Sequence, residues 1–146
     1  DTALRRRFTF VEVMPDPTCL STDCAGVNLQ ELLKAINQRV EFLSDREHTI
    51  GHTYLLDLKT LEDLQKCFAN KIIPLLQEYF YDDYTKIAIV LNDNGMLQAK
   101  ALEDITWTDN EELRARLEDF IDADKKVYSI TESSEWKVAN FQKIYQ

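Results

Sequence analysis

The chain has 146 residues, 45% of them hydrophobic and 10% aromatic, enough for one domain with a proper core or for a small domain plus a piece of another. Its 26 acidic and 17 basic residues give a formal charge of −9 and a pI near 4.7, which argues against a general nucleic-acid or anionic-membrane surface. No apolar run reaches the ~20 residues of a membrane helix, and no apolar stretch of the signal-peptide kind follows the charged start, so a cytoplasmic chain is expected.

The first stretch is the most unusual. Asp1 to Arg7 holds good helix formers and reads as the last turns of a helix ending in Arg5-Arg6-Arg7. Phe8 to Val13 mixes apolar and β-branched residues with Thr9 and Glu12, the pattern of a short, largely buried strand. Pro15 and Pro17 mark its exit, because proline cannot extend a ladder. Three permanent positive charges beside a buried strand are costly without an anion to meet, and guanidinium groups match carboxylate and phosphate oxygens bidentately. The chain has no initiating Met and begins inside a helix-like pattern, as expected of a piece of a longer protein.

Residues 14–27 show no periodicity and read as a linker. Cys19, Cys24 and Cys67 are odd in number, Cys19-x4-Cys24 has no second pair, and the histidines lie elsewhere, so reduced thiols without zinc are expected. Only three glycines and three prolines favour a mainly helical fold. Asn28 is a good N-cap with Glu31 three residues on, and Leu29, Leu32, Leu33, Ile36, Val40 and Leu43 then fall on one helical face, which Asp45 should end. His48 and His52 are four apart around Gly51; on a helix they would face one metal, with Asp45 or Glu47 to serve as a third ligand, but Gly51 lowers helix propensity there and a structural role is favoured.

Thr60-x-x-Asp63 has the form of a capping box. Apolar residues continue to Phe80, but Pro74 would clash inside one long helix, so two helices are predicted, at about 60–69 and 71–81. Asp82 or Asp83 should cap a third, Tyr84 to Leu91, followed by a turn at Asn94-Gly95. The cluster Tyr79, Phe80, Tyr81 and Tyr84 could stack on a base, although packing is the commoner use. Met96 to Ala101 and Val127 to Ile130 are candidate strands that could pair in a small hairpin. Between them, Thr108-x-x-Glu111 should open a helix to Asp122 with Leu113, Leu117, Phe120 and Ile121 inward. Ser133 or Ser134 should start the last helix, with contacts from Trp136, Val138, Phe141, Ile144 and Tyr145. The expected fold is therefore mainly α, in the α+β class.

Three stretches carry a family resemblance: Ala3-Leu-Arg-Arg-Arg-Phe8 with Pro15-Asp-Pro17, Asp45-Arg-Glu-His-Thr-Ile-Gly-His-Thr-Tyr54, and Asn70-Lys-Ile-Ile-Pro-Leu-Leu-Gln-Glu-Tyr-Phe-Tyr-Asp-Asp83. In this order they resemble the McrB-like branch of AAA+ nucleotide hydrolases, the GTPase subunits of modification-dependent restriction systems. The resemblance covers most of residues 1–92 and is looser over the last fifty, where it rests on Tyr128, Phe141, Ile144 and Tyr145. It implies a C-terminal fragment: residues 1–17 as the end of the AAA+ core, 18–27 as a linker and 28–146 as a helical lid.

The resemblance further implies a ring hexamer of identical subunits, an endonuclease partner of the McrC type, and contact with modified DNA only through other domains. GTP, or ATP, with Mg2+ would be bound mainly upstream, since this stretch has no phosphate-cradling Gly-rich loop and no strand ending in paired acids, and is inactive alone. Arg5, Arg6 and Arg7 are then candidates for a finger reaching a neighbour's γ-phosphate. They point about 100° apart on a helix, so they do not all face one phosphate; Arg5 or Arg6 is favoured for that role. Arg46, Gly51, His52 and Thr53 are the candidate nucleotide contacts of the lid, where the family's usual second-sensor arginine is missing after Gly51. The alternative from another class is a small helical interaction or oligomerisation module with no nucleotide role.

Overall fold

The computed structural model of the chain describes residues 15–105, 110–122 and 124–146. The arginines Arg5, Arg6 and Arg7 and the strand expected at Phe8 to Val13 lie outside the described residues. Among the described residues the fold is mainly helical with one two-stranded antiparallel sheet.

Helix α1 runs Leu29–Leu43 and is opened by Asn28, whose side-chain oxygen accepts the N–H groups of Gln30 and Glu31. Its apolar stripe is the centre of the core: Leu29, Leu32, Leu33, Ile36 and Val40 are all buried, each contributing ~1.5–3 kcal/mol of transfer free energy. Ahead of it, the aperiodic stretch 18–27 packs rather than hangs free. Leu20, Cys24 and Val27 are buried, and Cys24 and Val27 exchange backbone hydrogen bonds in a tight bridge.

The two helices predicted around Pro74 are one continuous helical run. Helix α2, Leu61–Cys67, starts in a capping box between Thr60 and Asp63. It passes into a π turn, Phe68–Ile72, and then into α3, Ile73–Tyr79. The Ile73 N–H bonds to the Phe68 carbonyl, five residues back, so the ladder shifts register just before the proline. That shift places Pro74 in the first turn of α3, where its missing donor is tolerated. The wide turn also keeps Phe68, Ile72 and Ile73 all buried, which a break would not.

Helix α4, Tyr84–Val90, is capped by Asp83, which accepts the Lys86 N–H. The turn after it uses Asn92 and Asp93 in the left-handed region and Gly95 at φ 94°. Strands β1, Leu97–Ala101, and β2, Lys126–Ile130, pair as expected, with Leu97 opposite Ile130 and Ala101 opposite Lys126.

The segment between the strands departs from expectation. Thr108 lies outside the described residues, and Asn110 caps a shorter helix α5, Glu111–Glu118. Of the residues expected inward, Leu113 on this helix is 48% exposed and Phe120, beyond its end, is 85% exposed. A helical period marks a face but not what covers it.

The last helix is also shorter than predicted. Ser133–Glu135 forms a separate 3-10 turn, and α6, Val138–Lys143, begins where Asn140 accepts the Lys137 N–H. Trp136, Phe141 and Ile144 are buried, with Phe141 edge-on to Phe68 at 5.1 Å. The chain end therefore closes the same core that α1 begins.

Candidate functional site

The corner after α1 is built by side chains standing in for secondary structure. The Asp45 carboxylate accepts the His48 N–H and so opens a single 3-10 turn, Arg46–His48. The same carboxylate lies 3.0 Å from His48 Nδ1, with Ser44 Oγ at 3.1 Å from that nitrogen. The imidazole also lies 5.0 Å from the Tyr79 ring. Thr49 Oγ donates to the Arg46 carbonyl and closes the turn.

The next residue is clamped to α1. Asn37 accepts the Ile50 N–H at 2.6 Å and donates to the Ile50 carbonyl at 2.9 Å, so its amide acts as a one-residue strand partner. Ile50 itself is fully buried. Gly51 therefore leaves the core from a fixed point and caps a second 3-10 turn, His52–Leu55.

Gly51 has no local need to be glycine. Its φ is −70°, and an added Cβ would meet only Thr53 Oγ at 3.8 Å, an ordinary contact. His52 is half-buried, and its Nδ1 accepts the Asp16 N–H at 3.0 Å. That bond makes Nδ1 the lone-pair nitrogen and leaves the ring proton on Nε2 in the neutral form. Asp16 is itself ordered: its carboxylate takes the Thr18 hydroxyl and N–H, which hold it below the usual carboxylate range.

The structure thus brings Gly51, His52 and exposed Thr53 together on one turn, against the segment that follows the arginine run. Arg46 stands on the preceding turn, also exposed. Gly51 opens a single 3-10 turn, whose C-cap Leu56 is already extended; the next α-helix starts at Leu61. His48 and His52 sit on two turns separated by an extended link and do not share a helical face. Each meets protein groups instead, and no cluster of three or more His, Cys, Asp or Glu side chains suited to a metal occurs among the described residues.

Of the aromatic cluster, Phe80 is buried and the Tyr84 hydroxyl accepts from Gln77, while Tyr81 is 93% exposed. Sequence reasoning missed Asn37 and Asp16. A signal for Asn37 was present: it continues the buried row Leu29, Leu33 at four-residue spacing, and a polar residue on such a row needs a partner.

Residues 28–88 match the family model described as "McrB, alpha-helical lid domain". The chain is also similar to the "Type IV methyl-directed restriction enzyme EcoKMcrB subunit" of Escherichia coli (strain K12), at 31% identity over a stretch covering 57% of this chain and 22% of that protein. The chain thus matches about a fifth of the length of this curated relative. Residues 28–88 are a McrB-lid-like helical domain.

Proposed function

We propose that this chain is the lid-bearing C-terminal portion of a McrB-like AAA+ subunit that hydrolyses GTP in a modified-DNA restriction system. The nucleotide and Mg2+ are held mainly by upstream segments of a longer protein, and the portion seen here is not catalytic alone. Of the run Arg5-Arg6-Arg7, Arg5 or Arg6 supplies the finger that reaches the γ-phosphate in the neighbouring identical subunit, stabilising charge on the transferred group. Arg46, Gly51, His52 and Thr53 form the lid's contact with nucleotide. The subunits form a ring and act with an endonuclease of the McrC type, while modified DNA is read by other domains.

The observation that supports this reading best is the hydrogen bond from the Asp16 N–H to His52 Nδ1. It ties the Gly51–Thr53 turn to the segment that follows the arginine run. A glycine that neither φ nor local space requires supports it further, since a bare backbone lets a phosphate approach closely.

Gly51→Ala is the decisive variant, because the fold accommodates the methyl group. In the longer protein it is expected to weaken GTP binding about tenfold or more at unchanged thermal stability. Unchanged GTP affinity would remove the turn from the nucleotide site.

A further inference from the structure

A cleft of about 460 Å³ lies between α4, the turn at Asn92 and Asp93, and the β1–β2 hairpin, and no residue of the Gly51 turn lines it. Ala88, Ile89 and Ala99 form its apolar wall, and Arg39, Asp93, Lys126 and Tyr128 its polar one. Arg39 is the unusual member. It projects from α1, half-buried, and its Nη1 donates to the carbonyls of Val90 at 3.0 Å and Ile144 at 2.7 Å. Both Nη1 hydrogens are thus spent, and the plane of the guanidinium is fixed.

The Nε and Nη2 donors have no acceptor, and Arg39 has no carboxylate partner, among the described residues. Burial alone lowers the Arg39 pKa, with no anion offsetting it. The Nε–Nη2 edge is the side of arginine that grips a carboxylate bidentately. Lys126 adds a second cation, also without an ion pair among the described residues, and Asp93 one negative charge. The polar wall carries a net single positive charge, which suits one carboxylate better than a doubly charged phosphate.

We propose that this cleft docks a partner protein through one Glu or Asp side chain flanked by an apolar residue. The carboxylate is gripped by Arg39 and Lys126, and the apolar neighbour packs on Ile89, which is 49% exposed. The proposal does not depend on any nucleotide role for the chain.

The probe is the capped peptide acetyl-Leu-Glu-Leu-amide, titrated into the full chain while backbone amide resonances are followed. Saturable shifts at Ala88, Ile89, Ala99 and Lys126 are expected, with affinity at least about tenfold lower for the Gln peptide and for Arg39→Lys, which keeps the charge but not the fork. Lys126→Gln, on the exposed hairpin, should weaken the Glu peptide several-fold and gives a second reading should Arg39→Lys fail to fold. No shifts at millimolar peptide, equal affinity for the Gln peptide, or equal saturation by inorganic phosphate would each overturn the proposal.

Discussion

The Tyr145 hydroxyl accepts the backbone N–H of Asn28 at 3.0 Å, across 117 residues of sequence. In a capping box this donor is met by the residue three positions into the helix. Here Glu31 pairs with Lys34 instead, and the penultimate residue of the chain completes the cap. The start of α1 is thus stabilised by the end of the fold. Tyr145→Phe should cost about 1 kcal/mol in urea unfolding, as should Asn28→Ala. In a double-mutant cycle the two should couple, since both act on one helix end. Strict additivity would show that the two bonds act independently.

Phe68 stands at the start of the π turn and is the aromatic anchor of the α2–α3 run against Phe141. It is fully buried, stacks edge-on to Phe141, and supplies the carbonyl that takes the shifted Ile73 bond. Phe68→Ala should cost about 3–5 kcal/mol, enough to unfold a marginal domain, whereas Phe68→Leu should cost much less. Thermal denaturation of the two variants side by side checks this.

Acid should act through Asp63. Its carboxylate accepts the N–H groups of Lys59 and Thr60, and these bonds hold it below its ordinary value of 3.8. A pKa depressed on folding gives stability that is fully present above the unfolded value and is lost as pH falls through the folded one. Asp63→Asn should therefore lower Tm near neutrality, where the charged carboxylate contributes, and flatten its fall below about pH 4. An unchanged acid limb would assign that loss to other carboxylates.

The three thiols should react unequally. Burial pushes Cys67 up to about 11, and its Sγ donates to the Tyr54 carbonyl. Cys24 is buried too, with its Sγ on the Leu58 carbonyl, while Cys19 is exposed. Iodoacetamide at pH ~8 should label Cys19 first in the native chain and all three in urea, read by peptide mass. Labelling of Cys67 as fast as Cys19 would contradict the burial.

What was legible in the sequence was what is local. Asn28 and the Leu29–Val40 stripe, the Thr60–Asp63 cap and the Asp83 cap all rest on short-range chemistry, and each is found; β1 and β2 were each legible as local runs of strand formers, and they pair. Pro74 was read by a sound rule, but burying Phe68, Ile72 and Ile73 together favours a shifted ladder over a broken helix. Phe120 carried the right period and is exposed among the described residues. The Gly51 turn was singled out by resemblance. Its supports, Asn37 and Asp16, lie 13 and 36 residues from their partners, beyond any local pattern.

The central claim is that the arginine run and the lid turn serve one nucleotide site. The most direct measurement is nucleotide turnover by the longer protein, wild type against Arg5→Ala, Arg6→Ala and Arg7→Ala, with GTP and ATP side by side. The account predicts a loss of ~10²-fold or more at Arg5 or Arg6 with nucleotide binding retained, and a preference for GTP. Unchanged turnover in all three variants would contradict it and leave the chain as a helical interaction module.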